Sequence, residues 1–301
     1  MTQKELEREL RKLYKETARV IEEKIKKHTE TFVKTDAINA QKMSAVEYKA
    51  WRKTELQTAQ WAKTLYKELE EDIAEANATA ARLINESTKG FYAEGYNVGL
   101  YEIEKNALLK TSFDLCSTAT VERLLTQKPN LLPKAGETYW GKRRVRNAIT
   151  QAIIKGESIA KLSKRLRVVA GMEKKSAIRN ARTIMTSAQN GGRQKVAEDA
   201  EEVGIPLKKI WIATLDERTR ASHAEMDGVQ IDVDEPFILT NNDGTECEMM
   251  FPADPDGDPE QVYNCRCTLG YNVDGNITSI NPDEVERVSK IGSYDTWKNK
   301  R

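Results

Sequence analysis

With 48 Lys and Arg against 47 Asp and Glu in 301 residues, the chain is nearly neutral, which excludes a uniformly basic nucleic-acid coat and a uniformly acidic decoy. It is 39% apolar and 32% charged, very polar but with periodic apolar positions, so it reads as a folded protein long enough for about two domains. Four cysteines do not make a secreted disulfide framework, no run approaches the roughly 18 apolar residues of a spanning helix, and MTQKELEREL lacks the apolar core of a signal peptide.

These features predict a soluble protein made in a reducing cytoplasm. Charge is unevenly placed along it. Between Ala221 and Asn264 there is no Lys or Arg, whereas Asp and Glu occur twelve times. Positive charge gathers earlier, in GKRRVRNA (141–148) and KLSKRLR (161–167).

Leu6, Leu10, Leu13, Ile21 and Ile25 recur at three- and four-residue steps and predict a helix over 3–31. TETFVKTDAINAQK reads as a polar break. SAVE, from Ser44 to Glu47, then offers a capping box that opens a longer helix through Trp51, Leu56, Trp61, Leu65, Leu69 and Ile73. Lys89-Gly90 suggests a pause near Thr88, after which FYAEGYNVGLYEIEKNALL resumes the pattern. Gly95 and Gly99 share a face there and permit close approach of another helix. Trp51 and Trp61 follow the core period, so they are expected to be packing residues rather than a base-stacking platform. Residues 111–141 are irregular, with a short helix around Val121–Leu125 and a lone Cys116 expected to be a small buried hydrophobe.

Two helical runs follow, about 142–155 and 158–169, separated at Gly156. A third, GMEKKSAIRNARTIMTSAQNGGRQKVAEDAEEVG, is expected to kink near Gly191-Gly192. The cations Lys142, Arg143, Arg144 and Arg146 are a candidate nucleic-acid contact, weighed against an ordinary solvated helix face.

From Ile205 the texture becomes β-like. KKIWIATLD, VQIDVD and CRCTLGYNVD are strand candidates, and NNDG and DPDGD carry turn chemistry. The fold class expected is α+β: long N-terminal helices and a helical middle region, then a small compact α/β module with three or four short strands. The corresponding divisions are an extended helical arm (1–140), a helical middle (141–204), the compact module (205–275) and a C-terminal tail (276–301).

Two stretches hold most of the chemically versatile residues, LDERTRASHAEMDG (215–228) and NCRC (264–267). Asp216 has Arg218, Arg220 and Arg266 as candidate partners, and an Arg fork holds a carboxylate and carbonyls together. The residues expected to form a structural clamp are Asp216, Arg218, Arg220, His223, Asp227, Asn264, Cys265, Arg266 and Cys267. Candidate metal ligands are His223, Cys247, Cys265 and Cys267, with Asp216 an alternative fourth. Structural zinc usually takes four N/S ligands, and Cys-x-Cys within a strand would aim its thiols to opposite faces. The metal-free clamp is therefore the expectation, with zinc as the alternative cofactor. The acids of DPDGDPE begin like a calcium loop, but Pro259 at the sixth position and the missing twelfth Glu exclude an EF-hand and leave a solvated acidic turn.

In order along the chain, ARTIMTSAQNGGR, IWIATLDERTRASHAEMDGVQIDVDEPF and VYNCRCTL resemble the phage head morphogenesis family, which groups Mu F-type minor capsid proteins with SPP1-like minor head proteins. FYAEGYNVGLYEIEK is similar to the upstream helical part of the SPP1-like members. Many members carry a zinc-ribbon-like set, from which this chain departs: Arg220 and His223 stand at the two Cys positions, and Val262 replaces a later His.

The resemblance implies a low-copy minor head protein of the virion, made in the host cytoplasm. It further implies attachment to the portal protein, the major capsid protein or scaffold, and a part in procapsid assembly, DNA packaging or ejection, with phage DNA as a further partner and no membrane. It implies no enzyme, and no catalytic residue is assigned. Some members carry toxin domains such as ADP-ribosyltransferases beyond the shared module, for which a chain ending at 301 is expected to lack the length. The alternative is a zinc- or Cys/His-dependent nucleic-acid-processing enzyme.

Overall fold

The computed structural model describes residues 1–136, 140–155, 157–273, 285–287 and 291–301. The expected break at Gly156 and residues 276–284 and 288–290 of the expected tail lie outside the described residues. The fold is mixed α+β, with long N-terminal helices and a small C-terminal strand module. By packing it divides into two compact units, one of Thr2–Leu83 with Ala135–Ile178, the other of Ile84–Lys134 with Arg179–Arg301 and Met1.

Helices α1 (Gln3–Lys42), α2 (Ala45–Thr58) and the first half of α3 (Gln60–Ala107) join α5 (Trp140–Ile154) and the start of α6 (Ile159–Glu202) in the first unit. α4 (Thr118–Gln127) belongs to the second. The first unit's core is the apolar stripe legible in the sequence: Ile21 and Ile25 on α1, Leu65, Leu69 and Ile73 on α3, Val145 and Ile149 on α5, and Leu162, Leu166 and Val169 on α6. Ser44 caps α2 as its capping box predicts, with reciprocal bonds to Glu47.

The expected polar break over 29–42 does not occur, and α1 runs through it to Lys42. Phe32 continues the buried stripe and stacks on Trp51 at 5.8 Å. The chain breaks instead at the extended Met43 and Ser44 between α1 and α2, and again at the extended Ala59 between α2 and α3. Nor does α3 pause at Gly90, or α6 at Gly171 or Gly191-Gly192. At Gly192 the reason is packing, because an added Cβ would meet the backbone of Tyr92 and Tyr96. An added Cβ at Gly95 would likewise meet the backbone of Gln189. In the second unit α3 and α6 therefore cross in backbone contact at paired glycines, which act as a helix interface rather than as helix breakers.

The strand module rests on that helix pair. β1 (Leu109–Thr111), β2 (Leu207–Ile212), α7 (Ala221–Glu225), β3 (Gln230–Ile231), β4 (Phe237–Thr240), β5 (Glu246–Met249), α8 (Pro259–Val262), β6 (Thr268–Val273), β7 (Val285–Arg287) and α9 (Tyr294–Asn299) follow the chain. The central sheet has the antiparallel order β3-β2-β6, β4 and β5 form a hairpin closed at Asn241–Gly244, and β1 pairs with β7. On β2 the inward face is Leu207, Lys209 and Trp211, while Ile212 is exposed. A lysine thus occupies a core position. Among the described residues no helix is long and apolar enough to cross a membrane.

Candidate functional site

β2 ends at Ile212 and delivers the DERT loop, and α7 follows it immediately. On the other side, α8 and a left-handed Asn264 (φ 58°) deliver Cys265, Arg266 and Cys267 just before β6 begins at Thr268. Because β2 and β6 are sheet neighbours, with Ile212 opposite Thr268, the two motifs face each other.

Arg266 clasps Asp216 through two bonds of 2.6 Å each. Asp216 also accepts the backbone N–H of Arg218 at 2.9 Å, while the Arg218 side chain stands off at 3.4 Å. The Arg266 guanidinium, and then the Arg218 N–H, hold the Asp216 carboxyl far below the usual carboxylate range. Thr214 donates to the Arg266 carbonyl at 2.9 Å, and Arg220 donates to the Tyr263 carbonyl. Asp227 accepts the N–H of Ala213 at 2.8 Å, which ties the end of β2 to the turn after α7. Asn264 donates its N–H to Thr183 on α6 at 3.0 Å.

A second, buried layer lies beneath. His223 is 2% exposed, and its Nδ1 sits 3.3 Å from Cys267 Sγ and 3.7 Å from Cys265 Sγ. Gln261 orients the ring. Its amide nitrogen donates to Thr240 and Asn241, so its oxygen is the acceptor for His223 Nε2–H at 3.1 Å. Nδ1 then faces the two sulfurs. The Cys265 thiol, followed by His223, holds Cys267 below the ordinary thiol value, while its bond to Cys267 and burial push Cys265 up. Trp211 closes the layer edge-on to His223 at 5.3 Å.

The expectation that Cys-x-Cys would splay its thiols is overturned. The two cysteines precede β6 rather than lie within it, and the left-handed Asn264 turns both toward the histidine. Zinc with Zn–S of about 2.3 Å and Zn–N of about 2.1 Å sets neighbouring donors roughly 3.5 Å apart, which the two separations from His223 match. Among the described residues three donors are present where a closed structural site takes four. Cys247 does not join them, because its sulfur accepts the N–H of Asp258 at 3.2 Å, and Asp216 is taken by Arg266. The residues therefore do not complete a structural zinc site. The cavity between the motifs, about 10 Å³, is near the lower limit for one water.

Three contributors were not legible as site residues. Gln261 carries no motif of its own. Asn190 on α6 donates to the carbonyls of Pro252 and Cys267 and accepts from Thr268 and Leu269, so it ties the helix to both sides of the module. The acidic turn is not simply solvated either. Asp254 is 6% exposed and accepts the N–H groups of Met250 and Asp256, and burial raises its carboxyl.

The candidate nucleic-acid run lies elsewhere, on α5. Arg146 forms a fork with Glu70 at 3.0 and 3.2 Å, and Arg144 reaches the buried Glu173 at 2.5 Å. Glu173 also accepts from Asn77, which accepts from Tyr14. Two of the four cations are thus held by carboxylates, and Arg143 is also engaged.

Residues 143–270, which hold both clamp motifs and the helix beneath them, match the family model described as Phage Mu protein F like protein. Through this segment the chain is similar to Mu F-like phage proteins. The Minor head protein GP7 of Bacillus phage SPP1 is similar along most of both chains, 28% identical over 242 residues, covering 77% of this chain and 76% of GP7. The NAD(+)–arginine ADP-ribosyltransferase EFV of Enterococcus faecalis is 36% identical over 154 residues, 51% of this chain and 30% of that protein. An uncharacterized protein of Haemophilus influenzae is 29% identical over 78% of this chain and 49% of its own length. The chain therefore spans less than a third of the transferase and about half of the Haemophilus protein. No solved structure matches significantly.

Proposed function

We propose that this Mu F-like protein is a structural component of the phage head, acting in procapsid assembly and attached to the portal or the capsid interior. The observation that carries this reading is the similarity to SPP1 GP7 along three quarters of both chains, rather than over the clamp module alone. The clamp supports it chemically. Its carboxylate, guanidinium and thiols are engaged with one another around a cavity too small for a substrate, as suits a lock for a loop-rich module.

Contact with packaged DNA is the finer part of the proposal and has weaker support on α5, where Arg144 and Arg146 are already paired. The catalytic alternative draws on the converging His223, Cys265 and Cys267 and on the similarity to the named transferase. Two arms separate these readings. Purified heads are analysed for the protein by quantitative mass spectrometry, and the purified protein and its His223→Ala variant are assayed for nuclease activity. Presence in heads with no nuclease activity supports the structural reading. Nuclease activity that disappears in His223→Ala supports the alternative.

A further inference from the structure

The outer face of α6 in the first unit carries a feature that packing within the chain leaves unexplained. At about 100° per residue, Lys161, Lys164, Val168, Gly171, Met172 and Lys175 fall within one arc of about 100°. The opposite face, with Leu162, Leu166, Val169, Ala170, Glu173 and Ala177, is buried. Val168 is 52% exposed and Met172 48% exposed, one turn apart, and Lys161, Lys164 and Lys175 are exposed at either end of the pair. The arc contains no acidic residue.

Gly171 lies at one edge of the arc and falls between Val168 and Met172 along the helix. A mid-helix glycine costs about 1 kcal/mol relative to alanine, and most others in the long helices are accounted for by close neighbours. Gly95, Gly99 and Gly192 leave no room for a Cβ, whereas one at Gly171 would meet nothing within 4 Å. Gly90 is similarly open, but Lys89 and Phe91 beside it offer no exposed apolar pair.

We infer that this α6 stripe is a docking surface for an acidic amphipathic helix. Val168 and Met172 supply an apolar centre, Gly171 admits the close approach of a second backbone, and the three lysines complement acidic flanks. Duplex DNA fits the face less well, because exposed valine and methionine offer nothing to phosphates. The inference rests on the head-component reading only for the source of the partner.

The test uses the full chain and a labelled synthetic helix with leucines on one face and glutamates flanking them, read by fluorescence anisotropy. Binding should weaken as salt rises and fall at least about tenfold in the Val168→Asp/Met172→Asp double variant, because central apolar contacts dominate such interfaces. Gly171→Leu should also weaken it, whereas Val46→Asp, at a position 80% exposed on α2, should not. Unchanged circular dichroism and thermal melting of the variants confirm that the fold is intact.

Four results would overturn the proposal: no binding of the acidic helix, equal binding of a lysine-flanked counterpart, capture of duplex DNA alone, or self-association that the double variant abolishes. Because the assay uses purified protein, its failure would leave incorporation into heads untouched. Absence of the chain from heads would conversely leave the peptide result standing.

Discussion

Arg266 holds Asp216 with both arms of its guanidinium, 2.6 Å to each carboxylate oxygen, across 50 residues of sequence. A lysine cannot reproduce that fork, so Arg266→Lys is expected to lower the melting temperature nearly as much as Arg266→Ala. The Asp216 carboxyl is depressed in the folded state, so its contribution is full above the unfolded value of 3.8 and is lost progressively as pH falls below it. The difference in melting temperature between wild type and Asp216→Asn should therefore be constant near neutrality and shrink in acid. A difference that persists unchanged well below that value would contradict the pairing.

Lys209 gives a signature of the same sign in the alkaline range. Its ammonium donates to the Met250 carbonyl at 2.8 Å and lies over the Phe237 ring, and burial lowers its value from 10.5 to about 8. Between those limits the unfolded chain binds the extra proton, so stability should rise with pH, by at most about 1.4 kcal/mol per pH unit. Denaturant unfolding of Lys209→Met should show that rise removed. An identical alkaline profile in wild type and variant would return Lys209 to an ordinary solvated role.

Gly171 and Gly192 of α6 should respond with opposite signs. Gly192→Ala forces a methyl onto the Tyr92 and Tyr96 backbone and should cost about 1–3 kcal/mol or more. Gly171→Ala enters open space in a helix interior and should stabilise by about 0.5–1 kcal/mol. Equilibrium unfolding of both variants measures this directly.

On α5, the double variant Arg144→Ala/Arg146→Ala should leave any duplex-DNA affinity and its log–log salt slope nearly unchanged, because both guanidinium groups are held by Glu173 and Glu70. A slope reduced by about 0.9 for each side chain would show phosphate contacts there instead.

Helix existence was legible because each long helix buries one stripe, and the Ser44 capping box reads straight from SAVE. Most other helix ends were not. A glycine breaks a helix or lets another helix approach, depending on what lies across it, and nothing in NGGR indicates that Tyr92 and Tyr96 lie there. For the same reason a truncation of residues 1–105 would take Tyr92 and Gly95 from the core of the second unit, and cannot serve as a clean test of an arm.

In the site, the meeting of DERT with NCRC was readable from their order and complementary chemistry. The convergence of Cys265 and Cys267 was not, because it depends on the backbone of Asn264 and on where β6 begins. Gln261 and Asn190 act through bonds that carry no sequence spacing.

The central claim is that the chain is a head component, and the most direct measurement of it is the protein content of purified phage heads. Quantitative mass spectrometry should find the chain in heads assembled by the intact phage, at low copy relative to the major capsid protein. Heads assembled without it should show altered assembly, DNA content or infectivity. Finished heads that never contain the protein, at any stage of assembly, would contradict the claim.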